Sequence, residues 1–356
     1  MIDRKPPSRL PGRLLLLGLI ALLALGAGHT LLWRAMAEQL EAGWQAWVSL
    51  RRAQGWRVEH APPTRGGWPL SATLTLDRVR LEGAAATLPG GAALAAERVV
   101  LRVTLPWLDR LHVSLPGQQR LRLGATEYPF TADTLAAVVP LEPDTPPSAA
   151  EVTAERLRIG TPAGGIELRS AALSAQGSNS ATEQESALAL TFSATDIELP
   201  APAPGTPAPV FGRRIAALAA DLSVTGPLPP GRAPAARAAA WRDGGGTVEL
   251  RALDISWGPV GAAAAATLTF DEALQPMGAG TLRLTGAGAA LEALSAAGLV
   301  GSRAALTARS VLPLLSRPND ETGAPEIEVP VTLEDRMLTF ARIPVLRLDP
   351  LHWPGR

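Results

Sequence analysis

The sequence predicts a mainly β protein with a few helices: an N-terminal transmembrane helix followed by an extended, curved antiparallel β-sheet. Three observations lead there. An uncharged apolar stretch stands near the N-terminus, strand-type alternation returns along the rest of the chain, and much of that alternation carries one extra residue at mid-strand.

The apolar stretch is Leu14 to Trp33, LLLLGLIALLALGAGHTLLW. At about 1.5 Å rise per residue it reaches about 30 Å, the thickness of bilayer hydrocarbon. Leu14, Leu17, Ile20, Leu23, Leu32 and Trp33 are its anchoring side chains. Arg4, Lys5, Arg9 and Arg13 outnumber Asp3 on the N-terminal side, which assigns residues 1–13 to the cytoplasm and sends the remainder across the membrane. A cleaved signal peptide is the competing reading, with Gly26-Ala27-Gly28 as the cleavable site. The length of the run, and its continuation through Leu31, Leu32 and Trp33, favour an uncleaved anchor.

Trp33, Met36, Leu40, Trp44 and Trp47 recur at the spacing of one helix face, so the helix is expected to continue over 34–54 and to stop at Gly55. Trp33 stands close to the membrane interface, where tryptophan is favoured. Trp44 lies about 16 Å further on along an ideal helix. For Trp44 and Trp47, packing against the following domain is the stronger reading.

Beyond residue 55, apolar residues repeat at i, i+2, i+5 and i+7. Leu74, Leu76, Val79 and Leu81 form the first copy, and Leu94, Ala96, Val99 and Leu101 the second. Val152-Ala154-Leu157-Ile159, Ile166-Leu168-Ala171-Leu173, Phe192-Ala194-Ile197-Leu199, Ile215-Ala217-Ala220-Leu222 and Val248-Leu250-Leu253-Ile255 follow. This is period two with an inserted residue, which would throw the later side chains onto the wrong face unless a bulge restored them. Such kinks bend strands, hence the expected curvature. Plain alternation fills Leu101-Val103-Leu105, Leu111-Val113-Leu115, Leu121-Leu123 and Leu282-Leu284, and 331–340 reads as a hairpin. One face is therefore apolar and the other carries Arg, Glu, Ser and Thr.

Helices are expected at Ala289–Leu299 and Arg303–Leu315, with a shorter one from Ala235 to Arg242 ended by Gly244-Gly245-Gly246. Proline-rich stretches at 140–150, 199–210 and 226–235 cannot join the interior of a sheet ladder. The first of them divides the β part into regions 55–145 and 146–356.

Composition removes several functions. Lys+Arg and Asp+Glu both number 33, so there is no electrostatic footprint for nucleic acid. Without cysteine there are no disulfides, thiol nucleophiles or thiolate metal sites. The four histidines, His29, His60, His112 and His352, are scattered. No HExxH, GxSxG, phosphate-loop or dinucleotide motif occurs. Asp77, Asp196 and Asp254 stand at the centres of repeat copies, where a bulge-tolerant residue is a better reading than a metal ligand. No catalytic, cofactor or metal residue is assigned, and the chain is read as a non-enzyme.

The segment LEAGWQAWVSLRRAQGWRVEHAPPTRGGWPLSATLTL, 40–76, resembles an alphaproteobacterial family of single-pass exported proteins of unknown function. The shared features fall on Trp44, Trp47, Arg51, Arg52, Gly55, Trp56, Gly67, Trp68 and Pro69, and 253–286 looks matched as well. More loosely, the strand style resembles AsmA-like periplasmic proteins. That likeness implies a sheet whose concave apolar face carries lipid acyl chains, a fold analogy that does not by itself fix function. On it, the groove candidates are Leu74, Leu76, Val99, Leu101, Val103, Phe192 and Ile197. The expected function is shielding of phospholipid or another envelope lipid by a protein of the bacterial inner membrane, with the bulk of the chain in the periplasm. The alternative is an assembly or structural protein that binds an envelope protein through its sheet edge, with a periplasmic hydrolase third.

Overall fold

The computed structural model describes residues 10–83, 91–142, 147–178, 181–182, 185–203, 206, 208–229, 233–318 and 323–353. Helix α1 (Leu10–Ala53) runs unbroken from the apolar segment into the tryptophan-bearing stretch. Its end is a glycine cap: Gly55 takes φ 88, Trp56 N donates to Arg51 O, and Gly55 N donates to Arg52 O. That pair of bonds satisfies carbonyls the helix would otherwise leave open, and a Cβ at Gly55 would strain the left-handed turn.

Short β1 (Arg57–Glu59) and β2 (Thr64–Gly66) pair with the two ends of β3 (Ser71–Gly83), which pairs in turn with β4 (Ala92–Thr104). The next two positions in the sheet are each filled by two short strands. β5 (Arg110–Ser114) and β6 (Gln118–Leu123) lie on the two halves of β4, and β7 (Thr126–Thr131) and β8 (Thr134–Pro140) bridge them to β9 (Ala149–Thr161). From β9 an antiparallel meander continues through β10 (Gly164–Gly177), β11 (Ser186–Glu198) and β12 (Arg214–Thr225). After α2 (Pro234–Asp243) come β13 (Val248–Trp257), β14 (Val260–Phe270) and β15 (Pro276–Thr285). Helices α3 (Ala287–Ala296) and α4 (Ser302–Leu315) precede β16 (Arg317–Pro318), β17 (Pro325–Glu334), β18 (Met337–Phe340) and β19 (Ile343–Arg347), with β17 pairing to β15. The 19 strands among the described residues belong to one sheet, in which β7 and β8 of the expected first region pair directly with β9 of the second.

Directly paired residues share a face. One row can therefore be followed strand by strand: Leu74, Leu101, Val113, Ala137, Val152, Leu173, Phe192, Ala220, Leu253, Ala264, Leu282, Val329. It contains no polar side chain. The parallel row on the other face includes Thr153, Ala172, Ser193, Ala219, Asp254, Ala263, Arg283 and Glu328.

The inserted residues line up as a seam. Asp77 pairs with Arg98 and Val79 with Ala96, while the ladder skips Arg78 and Glu97 between them. It skips Arg156 opposite Arg169, Arg169 opposite Asp196, and Asp196 opposite Ala216 in the same way. Arg78, Arg156 and Asp196 adopt left-handed φ of 53, 47 and 49. The gaps between β5 and β6 and between β7 and β8 fall on this line. From β3 to β12 the neighbours kink together, so register is preserved and the sheet bends as a unit, whereas from Ala216 onward the extra residue stands on one strand at a time and the register shifts along β12–β14. One copy departs from expectation: in 215–222 the ladder skips Ala216, and Ile215 and Leu218 join the same apolar cluster. A run of alanines offers no contrast from which to place the insertion. At 335–336 the hairpin turns on Asp335 and Arg336, both at positive φ, the two-residue turn that matches strand twist.

Charges fasten the seam on the polar side. The Asp196 carboxylate is held by both Arg169 and Arg214, and Asp77 accepts from Arg98 Nε at 2.7 Å. The Arg214 guanidinium holds the Asp196 carboxyl below its ordinary range. A depressed folded-state pKa contributes stability that is complete above the unfolded value of about 3.9 and is lost as pH falls through the folded value. Asp196→Asn, a substitution tolerant of left-handed backbone, is thus expected to melt at a lower temperature than wild type at about pH 7, with the gap closing below about pH 4. Circular dichroism melts across that range check it; a gap that does not depend on pH would refute it.

Candidate functional site

The apolar face is covered at one end, and the cover is α1. Leu74 and Leu76 are fully buried and Leu101 is 6% exposed, with Leu40 and Trp44 of α1 packed against them. Ala37 and Val48 on the same helix are also buried. Polar contacts fix the helix lengthwise: Trp33 Nε1 donates to Ser71 O at 2.9 Å, Arg65 Nε to Glu41 at 2.7 Å, and Arg52 to Val58 O at 2.7 Å. His60 is part of this clamp. Its Nε2 accepts from Trp44 Nε1 at 3.2 Å while Nδ1 donates to Ala61 O at 2.8 Å, an arrangement that requires the neutral Nδ1–H tautomer. Trp44 also stacks on Trp47 with ring centroids 5.1 Å apart, and Arg51 lies over the Trp47 ring.

The groove candidates accordingly separate. Leu74, Leu76 and Leu101 are core beneath α1 and offer no open surface; Val99 joins that cluster as a partly buried member, and Val103 is half-buried. Phe192 and Ile197 belong to a second cluster, with Leu168 and Ala194, on β10–β12. Among the described residues no helix packs substantially on β9–β12, yet Leu168, Ala194 and Ile197 are buried. Side chains on a flat single layer would stay exposed, so here the bend of the sheet makes them shield one another. Leu173, beside Phe192 in the ladder, remains 38% exposed. This open stretch is the candidate site.

Its limits are set by the remaining helices. Trp241 of α2 is buried, donates Nε1 to Thr225 O at 2.8 Å, and meets Phe270 edge-on, which in turn meets Trp353. Gly246 lies against the Trp241 ring, where a Cβ would come within 2.3 Å, so the Gly244-Gly245-Gly246 run both ends α2 and admits the indole. At the opposite edge, α3 contacts β14 and α4 contacts β17, leaving Leu306 and Leu314 67% and 83% exposed. The two helices sit at the rim and leave β9–β12 open.

A fully buried polar residue interrupts the apolar side at Gln119. Val79, Ala96, Gln119, Phe130, Ile159 and Ile166 form a paired row, and within it Gln119 is 1% exposed. Its Nε2 donates to Leu115 O at 2.8 Å, while Oε1 has no partner. A cleft of about 670 Å³ borders it, where β7 and β9 pair over only Phe130–Ile159 and Thr131–Arg158 before parting. Extending the Leu121-Leu123 alternation back by two places Gln119 inward, the sequence signal that would have marked it.

Of the anchoring side chains, Leu17, Ile20, Leu23 and Leu32 are exposed along α1 and Trp33 is half-buried against the sheet; the side chain of Leu14, like residues 1–9, lies outside the described residues. The described part of α1, Leu15–Ala53, is long and apolar enough to cross a membrane. No grouping of His, Asp and Glu suited to a metal occurs among the described residues.

Residues 33–349 match the family model of uncharacterized proteins conserved in bacteria, DUF2125. The chain belongs to that family. The match takes in the clamp, the seam and the open face, and begins where the apolar segment of α1 ends. Among curated proteins and solved structures, none matches the chain.

The division between covered and open face predicts different costs for one kind of truncation. Leu76→Ala is expected to destabilise the fold by about 2–5 kcal/mol, the range for a fully buried leucine, whereas Leu173→Ala is expected to cost well under that. Chemical denaturation of the detergent-solubilised chain measures both, and equal losses would contradict the assignment.

Proposed function

We propose that this family member is a bacterial inner-membrane protein whose periplasmic β-sheet shields lipid acyl chains, in envelope lipid transport or homeostasis. The observation that carries the reading is the uninterrupted apolar row from Leu74 to Val329, of which α1 covers only the β3–β4 end. An acyl chain laid across such a surface gains about 0.8 kcal/mol for each methylene removed from water. Little else is required of the protein, which suits a face whose long central row is apolar from strand to strand. The resemblance of strand style to AsmA-like proteins supports the sheet's part in this reading and adds nothing about cargo.

A second reading has its own observation. Among the described residues β19 pairs only with β18, and it exposes Ile343, Val345 and Leu346 at 66%, 55% and 52%. An apolar strand with a free edge is suited to strand addition by an envelope protein.

Neighbouring residues on opposite faces supply the test. A photo-crosslinking amino acid at Leu173 faces the apolar side, and at Ala172 the polar side. In living cells the full chain labelled at 173 is expected to yield lipid adducts several-fold above the chain labelled at 172. Equal yields would sink the shielding function, and protein adducts from a crosslinker at Val345 would favour the edge reading.

A further inference from the structure

Two loops leave large apolar side chains in the open at one corner of the sheet. In the β2–β3 turn Trp68 and Leu70 are 60% and 68% exposed, and in the β4–β5 loop Trp107 and Leu108 are 64% and 45% exposed. Ser71 pairs with Thr104, and Leu105 N donates to Leu70 O at 3.0 Å, so the loops form one patch. Its sequence neighbours on the rim are Asp109 and Arg110, which pair with each other at 3.8 Å and leave it no net charge there. A patch of this kind on a soluble surface would invite aggregation or mark a binding surface.

Its position says what covers it. His29 Nε2 bonds Pro69 O at 2.7 Å, and Trp33 Nε1 donates to Ser71 O at 2.9 Å. Trp68 and Leu70 therefore stand beside residues 29–33 of α1, the last turn of the apolar segment. With that segment spanning the hydrocarbon, these residues lie within about 6 Å of its boundary. That is the depth at which tryptophan is favoured, its ring partly among acyl chains and its N–H among headgroups.

We infer that the Gly67–Leu70 turn and the Leu105–Leu108 loop dip into the bilayer interface, making a second membrane contact beside the helix. The occupant of the patch is the lipid surface itself. The helix tethers the domain, and the loops set which edge of the sheet faces the lipid. Antiparallel pairing carries this edge along the meander: the β8 end at Pro140, the β10 end at Gly177, the β12 end at Thr225 and the β14 end at Phe270 are on the same side of the strands as Thr104. The inference rests on α1 as a span and is independent of what the open apolar face binds.

The cysteine-free chain makes the test direct. Leu70→Cys, Leu108→Cys and, as a reference in the β9–β10 turn at the other edge, Ala163→Cys each take one spin label in the full chain, reconstituted in phosphatidylethanolamine–phosphatidylglycerol vesicles. All three sites are exposed, so labelling leaves packing intact. Co-flotation with vesicles establishes anchoring, and failure to float would overturn the span and this inference with it. In floating protein, the ratio of collisions with oxygen to collisions with a water-soluble nickel complex is expected to be several-fold higher at 70 and 108 than at 163. Equal ratios would overturn the loop contact while leaving the anchor standing. A label-free measurement runs beside it: lipids brominated near the headgroup should quench the tryptophan emission of wild type more than that of Trp68→Phe/Trp107→Phe, and identical quenching would count against the proposal.

Discussion

A sheet with one apolar face and, among the described residues, no continuous second layer has to hide that face from water, and the architecture is a set of partial answers to that constraint. Over β3 and β4 the cover is a helix, with Leu40 and Trp44 seated on Leu74, Leu76 and Leu101. Over β9–β12 the sheet bends so that Leu168, Ala194 and Ile197 bury one another. Along the β14 margin an aromatic cluster of Trp241, Phe270 and Trp353 closes the edge. Between these devices the face stays open, and each device explains a feature of the sequence that composition alone would leave unexplained.

The bend is the least ordinary of the three. Inserting a residue into one strand alone would shift its register and turn later side chains outward. Here adjacent strands insert at the same level, so the irregular positions Arg78, Glu97, Arg156, Arg169, Asp196 and Ala216 face one another across the ladder. Charged side chains suit this line because it opens onto the wet face, where Asp196 meets Arg169 and Arg214.

Much of this was legible from residues alone, for reasons that also explain the gaps. Period-two alternation with an insertion identified the kinked strands wherever side chains contrast, as in Leu74-Leu76-Val79-Leu81. It misplaced the kink in Ile215-Ala217-Ala220-Leu222, where alanine fits either face. Gly55 and the Gly244-Gly245-Gly246 run announced helix ends because left-handed and close-packed backbone favours glycine. Alternation tells which face is apolar but not what lies on it, so Leu74 and Leu101 could not be told apart from Phe192 until α1 was seen across them. Gln119 escaped because its polar side chain hides the alternation that Leu121 and Leu123 carry back to it. Trp68 and Trp107 lie far apart in the chain, and only the pairing of Ser71 with Thr104 brings their loops together.

Helix α1 has one further consequence. It is a single rod from Leu10 to Ala53, with no proline between Gly12 and its end and with its second half, from Trp33 on, clamped to the domain through Trp33, Trp44 and Arg52. A domain on a flexible tether samples a wide volume, but one mounted on a rigid shaft keeps its height and heading. If the shaft is seated in a bilayer, the open face is confined to a shell one domain deep above it. Anything held there would have to be collected and passed on within that shell.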